Sequence, residues 1–357
     1  MKKLLASLLV MSMILVGCSG GNSGSKGAEI ALITDAGNIN DKSFNQSAHE
    51  AIEQFIKDNE NLKSDTNKLT YKYYRPQVFD TAGYNEQIDL AVENGAKIIV
   101  TPGYKFGEAV AQKQTEYPDV KFIFIDAVPE GDTIGSNVYC ALYAEEEAGY
   151  LAGYAAVKDG YTKLGFMGGN ALPAVIRFGY GYIQGADAAA KELGVNVEVK
   201  YNYTNSFEAK PEITTLAAAW YEEGTEVIFS CGGGICTSIF EAASKAGKMS
   251  IGVDSDQKDD SDTVLTSAVK GVRKTVTDQL AAFYAGTFEG GKVETLTIKE
   301  DYVGISEDYS RFKTYTKEEN DAIVQKLKSG EVTIKNDTAV SSASELSTEN
   351  VTVVEVK

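Results

Sequence analysis

Histidine is nearly missing from this sequence: His49 is the only one in 357 residues. Catalysis through a histidine base, or a metal site built on imidazoles, has almost no material. His49 itself falls off the apolar stripe of its helix and is expected on the surface with no chemical role. Positive charge is also short, with 34 Lys and Arg against 51 Asp and Glu and a formal charge of −17. A nucleic-acid surface needs a basic footprint, so nucleic acid is not an expected partner. The acidity serves solubility. Catalytic and nucleotide motifs are missing as well. Gly232-Gly-Gly-Ile-Cys-Thr237 has no P-loop lysine, Gly168-Gly-Asn170 lacks the spacing of the dinucleotide fingerprint, and no Gly-x-Ser-x-Gly elbow occurs. Nothing requires catalysis, a cofactor or a metal; Asp254-Ser-Asp256 has only a faint calcium-loop look.

No apolar run is long enough to span a membrane. The longest, Leu4 to Val16, follows Lys2-Lys3 and has the length of a signal-peptide core. Leu15-Val16-Gly17-Cys18 resembles the bacterial lipobox, which implies removal of residues 1–17 and lipid on Cys18. Residues 18–27 are Gly/Ser-rich, a flexible tether. The mature chain is expected on the extracytoplasmic face of the cell membrane, held by acyl chains and not spanning it. Beyond Cys18 the chain has Cys140, Cys231 and Cys236. An odd number cannot all pair, and Cys231-x4-Cys236 has no further ligands for a metal, so these are expected as buried free thiols.

What the chain does contain is an internal repeat. Lys97-Ile-Ile-Val-Thr101 stops at Pro102-Gly103, a helical stretch follows from Phe106, and Lys121-Phe-Ile-Phe-Ile125 ends on Asp126. Glu226-Val-Ile-Phe-Ser230 stops at Gly232-Gly-Gly234, a helical stretch follows through Phe240, and Met249-Ser-Ile-Gly-Val253 ends on Asp254. Around these copies apolar strand-like runs alternate with helical periodicity. That alternation predicts parallel sheets covered on both faces, an α/β fold of two Rossmann-like lobes facing one cleft. Parallel crossovers bring the strands' carboxyl ends to one edge, where ligands bind. Asp35, Gly103 and Asp126 should share one rim. Expected boundaries are 28–140 for the N-terminal lobe, completed by roughly 271–300, then 141–270 for the C-terminal lobe, with 301–357 packing on the lobes. The helix after Asp35 is expected to start near Ser43, with Ser43-x-x-Gln46 as a capping box. The next helix is expected directly at Tyr143 to Val157.

Carboxylates carry most of the chemistry. Asp35, Asp126 and Asp254 each end an expected strand, and an ionised carboxylate accepts from hydroxyls or ring N–H groups. Helix capping is the bland reading of any one aspartate; three at matched strand ends point to a ligand. Lys270 ends another strand and can offset their field. Phe44, Phe178 and Phe207 sit at loop–helix edges, where aromatic rings can sandwich a planar ring or simply pack the lobes together. Gly233 and Gly234 let backbone approach a ligand or make a tight turn.

Asn40-Asp-Lys-Ser-Phe-Asn45, Phe124-Ile-Asp126, Arg177-Phe-Gly-Tyr-Gly181, Ser206-Phe207, Gly232-Gly-Gly234 and Ile251-Gly-Val-Asp-Ser-Asp256, together with Cys18, resemble the basic membrane protein family. These are substrate-binding lipoproteins of ABC importers, typified by purine-nucleoside receptors. The resemblance implies a periplasmic-binding-protein type I fold with a hinge. It implies a purine nucleoside such as inosine, guanosine or adenosine as ligand, and a membrane permease with its cytoplasmic ATPase as partners. By the same resemblance Phe44 and either Phe178 or Phe207 would sandwich the base. Asp126 would accept from the base edge. Asp254 would accept from ribose hydroxyls, aided by Lys270 and the Gly233–Gly234 backbone, and Asp35 and Asn45 would complete the first lobe's contacts. The same layout also serves sugar receptors, sensory domains and nucleoside-cleaving enzymes.

Overall fold

The computed structural model describes residues 27–62 and 68–356. Cys18 and the expected signal peptide lie outside the described residues. The chain alternates strand and helix through β1 (Ile30–Ile33), α1 (Phe44–Asp58), β2 (Tyr71–Tyr74), α2 (Thr81–Glu93), β3 (Ile98–Pro102), α3 (Gly107–Glu116), β4 (Lys121–Ile125) and β5 (Val138–Tyr143). It continues through α4 (Glu145–Lys158), β6 (Lys163–Gly168), α5 (Pro173–Leu193), β7 (Val197–Tyr203), α6 (Pro211–Glu222), β8 (Val227–Cys231), α7 (Ile235–Ala246), β9 (Met249–Asp254) and β10 (Val264–Lys270). The last elements are α8 (Val272–Ala285), β11 (Lys292–Leu296), β12 (Val303–Ile305), α9 (Lys317–Ser329) and β13 (Val351–Glu355).

Two sheets form, in the orders β11-β5-β4-β3-β1-β2 and β12-β10-β9-β8-β6-β7-β13. Strands pair in parallel throughout, except that β12 runs antiparallel to β10. Without the added edge strands each sheet has the same order, second-first-third-fourth-fifth, the doubly wound arrangement whose switch point lies between the first and third strands. The repeat in the sequence is thus the β3-α3-β4 unit of one sheet and the β8-α7-β9 unit of the other.

The strands are apolar on both faces because both faces are covered. In the first sheet Ile30, Leu32, Ile98 and Val100 pack with Ala48, Ile52 and Phe55 of α1 and with Val276 and Leu280 of α8. Their neighbours Ala31, Ile33, Ile99 and Phe122 face Tyr84, Ile88, Phe106 and Val110 of α2 and the α3 region. Burying one such side chain contributes roughly 1.5–3 kcal/mol.

Four sequence expectations are corrected. A strand, β5, occupies residues 138–143, where no element is expected ahead of the helix at Tyr143 to Val157, and the lobe boundary expected at 140/141 falls inside it. It pairs with β4 and β11. Ser43 does not cap α1 through its side chain. Instead the Asp41 carboxylate accepts from the backbone N–H groups of Ser43, Asn45 and Gln46, and Gln46 Oε1 turns back to the N–H of Lys42. His49 is half-buried: its Nδ1 lies 2.8 Å from the Tyr71 hydroxyl and its Nε2 3.5 Å from Glu53. The C-terminal segment does more than pack on the outside, since β12 and β13 form both edges of the second sheet. A capping box does form at the start of α9, where Thr316 and Glu319 cap reciprocally.

Two features place the site. Helices α4 and α5 touch backbone to backbone through glycines. A Cβ on Gly149 or Gly153 would lie 2.1 or 2.0 Å from the carbonyl oxygen of Phe178 or Tyr182. One on Gly181 or Gly185 would lie 2.0 or 1.9 Å from that of Glu146 or Tyr150. No other residue fits there. The chain also passes between the sheets three times: at 143–145, at 270–272 and between β11 and β12. These crossings are tied side by side. The Ala144 N–H donates to the Leu296 carbonyl and the Gly271 N–H to the Tyr302 carbonyl, while Glu147 accepts from the Ile298 N–H.

Candidate binding site between the lobes

The carboxyl ends of both parallel sheets face each other across the crossings. At the switch point of the first sheet, β1 leads to Asp35 and β3 to Gly103. The two stand so close that a Cβ on Gly103 would lie 3.1 Å from Asp35 Oδ2. Asp35 Oδ1 accepts from the Gly37 N–H and from Asn45 Nδ2, which also donates to Asp41. Burial pushes the carboxyls of Asp35 and Asp41 above their usual range, against these hydrogen bonds. At the equivalent point of the second sheet, β6 leads to Gly169 and β8 to Gly232, whose Cβ would lie 2.8 Å from the Gly169 nitrogen. Phe207, half-buried on the loop after β7, packs against Gly169, and its carbonyl oxygen approaches Gly234.

Between these points lies a buried charge cluster. Lys270, ending β10, is 5% exposed. Its ammonium donates to Asp126 Oδ2 at 2.5 Å and lies 3.5 Å from Asp254 Oδ1 and 3.6 Å from Glu145 Oε1. Burial alone would lower the pKa of the ammonium, but Asp126, Asp254 and Glu145 raise it, so Lys270 is a permanent cation. Burial acts in the opposite sense on Asp126: with the added repulsion of Glu145 and Asp254 it outweighs the pull of Lys270 and raises the carboxyl above its usual range. The remaining oxygen, Asp126 Oδ1, is buried without a hydrogen-bond partner. A buried acceptor left bare costs about 1–3 kcal/mol, so it marks a place where a donor is missing.

Asp126 and Asp254 share a conformation that side-chain-bearing residues rarely adopt, with φ of +65° and +64°. Neither caps a helix, which removes the bland reading of both. Asp254 Oδ2 accepts from Ser43 Oγ of the other lobe at 2.5 Å. Next to it, the Lys42 carbonyl accepts from Ser255 Oγ and Gln257 Nε2, and Lys42 Nζ pairs with Asp260. The lobes therefore touch at the mouth of the cleft as well as at the crossings.

Aromatic rings surround Lys270. Its Nζ lies 4.8 Å from the Phe44 ring centre, 5.5 Å from that of Tyr143 and 5.8 Å from that of Phe178. Phe44 is half-buried, whereas Phe178 is 2% exposed and packs edge-on against Phe229. Phe178 thus belongs to the core behind Lys270, while Phe44 is half-buried beside it.

Sequence reasoning missed Glu145 and Arg177. Glu145 is fully buried at the first residue of α4; its Oε2 accepts from Arg177 Nε at 2.6 Å, and Arg177 continues to Asp337 at 3.3 Å. The available signal was Arg177 itself, the one cation within the glycine- and alanine-rich stretch of α5 before Lys191. Cys140, Cys231 and Cys236 are free and buried, as expected. Burial pushes the Cys140 thiol up to about 12 and the Cys236 thiol to about 11. Among the described residues, no group of three or more His, Cys, Asp or Glu is placed to hold a metal ion, and no helix is long and apolar enough to cross a membrane.

Two doubly wound lobes, three parallel crossings and a buried polar cluster between facing strand ends define a two-lobed binding protein. Residues 28–338 match the family Bmp, described as ABC transporter substrate-binding protein PnrA-like, and the chain belongs to that family. It is 33% identical over 328 residues to the ABC transporter nucleoside-binding protein BmpA of Lactococcus lactis subsp. cremoris, covering 85% of this chain and 90% of that protein. It is 28% identical over 340 residues to basic membrane protein A of Borreliella burgdorferi, covering 94% and 96%. A crystal structure of an ABC transporter solute-binding protein from Aeropyrum pernix K1 superposes with a TM-score of 0.73 at 23% identity, over 87% of this chain and 93% of that one. This likeness shows a periplasmic-binding-protein type of fold. The protein is the substrate-binding component of an ABC transporter, which works outside the cytoplasm and passes its ligand to a permease driven by an ATPase.

Proposed function

We propose that the protein captures purine nucleosides between its lobes and delivers them unchanged to the permease. The observation that carries this reading is the imbalance of the cleft: Asp126, Asp254 and Glu145 share Lys270, and Asp126 Oδ1 still has no donor. Such a site offers acceptors. It favours an uncharged ligand rich in O–H and N–H groups and repels phosphate. The nucleoside-binding name of the Lactococcus relative supports the same ligand class.

In this reading the base lies between Phe44 and Phe207, with Phe178 beneath. Asp126 accepts from the base edge. Asp254 exchanges its Ser43 bond for ribose hydroxyls, aided by Lys270 and the Gly233–Gly234 backbone, and Asp35 and Asn45 complete the first lobe's contacts. The lobes close about the three crossings. Cys18 carries the lipid that holds the protein to the membrane, which a Cys18→Ser variant would show by its release into the medium. Calorimetric titration of the soluble form beginning at Ser19 with inosine, guanosine, adenosine, cytidine and ribose tests the ligand. Tight binding of purine nucleosides, recovered intact, is expected. Preference for ribose or cytidine overturns the purine reading, and release of free base overturns the receptor reading.

A further inference from the structure

Helix α5 gives one stripe of side chains to the end of the chain. Arg177, Tyr180, Gln184 and Asp187 stand three or four residues apart and so share one face of the helix. Each meets the segment that runs from α9 into β13. The Tyr180 hydroxyl donates to the Val340 carbonyl, Gln184 bonds both the N–H and the carbonyl of Lys335, and Asp187 accepts from the N–H groups of Asn350 and Val351. Arg177, near the start of α5, faces two ways. Its guanidinium lies 3.3 Å from Asp337 of that segment and 2.6 Å from Glu145 at the crossing. Glu146 lies 3.9 Å from the same guanidinium. The C-terminal segment is thus linked by two ion pairs to a carboxylate that touches Lys270.

Glu145 has two cations within reach. It is fully buried, and a buried carboxylate left without a cation is costly. Its Oε2 takes Arg177, while its Oε1 accepts no hydrogen bond and lies 3.6 Å from the Lys270 ammonium. Lys270 stands 2.5 Å from Asp126 and 3.5 Å from Asp254. Among the described residues, Lys270 is the only cation besides Arg177 that pairs with Glu145. Without Arg177, the charge of Glu145 therefore competes with both aspartates for one lysine. We infer that Arg177 is a positioning residue of the site between the lobes, held in place by Asp337: it engages Glu145 and so leaves Lys270 to the two strand-end aspartates. A planar guanidinium suits this task, because it offers Nε to Glu145 and Nη1 to Asp337 at the same time.

One arm of the test needs no ligand. In crystals of the soluble Arg177→Gln protein, Lys270 Nζ should leave Asp126 and close on Glu145 Oε1 to the about 2.7–2.9 Å of a charged hydrogen bond. In Arg177→Lys, and in E145Q/R177Q, which removes both charges of the pair, Lys270 should stay on Asp126. The other arm rests on the purine-nucleoside reading. By calorimetry, inosine should bind on the order of tenfold more weakly to Arg177→Gln and about threefold more weakly to Asp337→Asn. E145Q/R177Q should return to within about threefold of the unmodified protein. A pair that only supports the fold would lower stability in urea unfolding and leave the inosine affinity of the folded protein unchanged. Lys270 still on Asp126 in Arg177→Gln, or no recovery of affinity in E145Q/R177Q, would overturn the inference. Should Arg177→Gln fail to fold, Asp337→Asn decides, and unchanged inosine affinity there overturns it. If the unmodified protein binds no nucleoside, the purine-nucleoside reading falls alone, and the position of Lys270 in the crystals still decides this inference.

Discussion

Asp126 and Asp254 occupy the same left-handed backbone conformation at the ends of β4 and β9, one in each lobe, and both lie within 3.6 Å of the Lys270 ammonium. The repeated unit carries an uncommon conformation twice, on either side of one lysine. Asparagine tolerates this conformation and alanine does not. Replacing either aspartate by Asn or by Ala should weaken nucleoside binding about tenfold to a hundredfold, the worth of a hydrogen bond to a charged group. The Ala variants should also be about 1 kcal/mol less stable than the Asn variants. Calorimetry and urea unfolding separate the two effects.

Ser43 and Ser255 hold the mouth of the cleft shut, the first on Asp254 and the second on the Lys42 carbonyl. Each such bond contributes about 0.5–1.5 kcal/mol. In the S43A/S255A double variant the open form should gain roughly tenfold in population relative to the closed form. Small-angle scattering should show a larger radius of gyration without ligand and an unchanged one at saturation.

The glycine contact between α4 and α5 should be intolerant of even one carbon. Gly153→Ala places a Cβ 2.0 Å from the Tyr182 carbonyl oxygen. Overpacking of this kind costs about 1–3 kcal/mol or more. Because the same helices carry Glu145 and Arg177, ligand affinity should fall too. Gly304→Ala, with nothing within 4 Å of the new carbon, is the control and should be near neutral. Thermal unfolding and calorimetry measure both.

Cys140, Cys231 and Cys236 are buried, and burial disfavours the thiolate that reacts with disulfide reagents. Ellman's reagent should find almost no thiol in the native soluble form and three after guanidinium unfolding. One fast-reacting thiol in the native protein would place a cysteine outside the core.

Strand ends were legible because apolar runs stop abruptly at Asp35, Asp126 and Asp254, and a strand buried on both faces needs no alternation to be seen. The same lack of alternation hid β5. Val138-Tyr-Cys-Ala-Leu-Tyr143 runs into α4 without glycine or proline to separate them. Glu145 was hidden by company: among Glu145, Glu146 and Glu147 in a first helical turn it reads as a complement to the helix dipole, and only tertiary packing buries it completely while leaving Glu146 15% exposed. The α1 cap was misplaced for a related reason. Ser43 has the right spacing to Gln46, but its hydroxyl is spent across the cleft, and Asp41 reaches the same N–H groups from two residues earlier.

The crossings carry a further consequence. Lys270 and Glu145, which balance the charge of the site, stand at two of the three points where the chain turns from one lobe into the other. Grip and movement are therefore encoded in the same few residues. A change that makes the protein hold its cargo harder also stiffens the joint that must open to surrender it. Scavenging from dilute surroundings and rapid hand-over to the membrane pull this short stretch of chain in opposite directions, and the sequence there is a compromise between them.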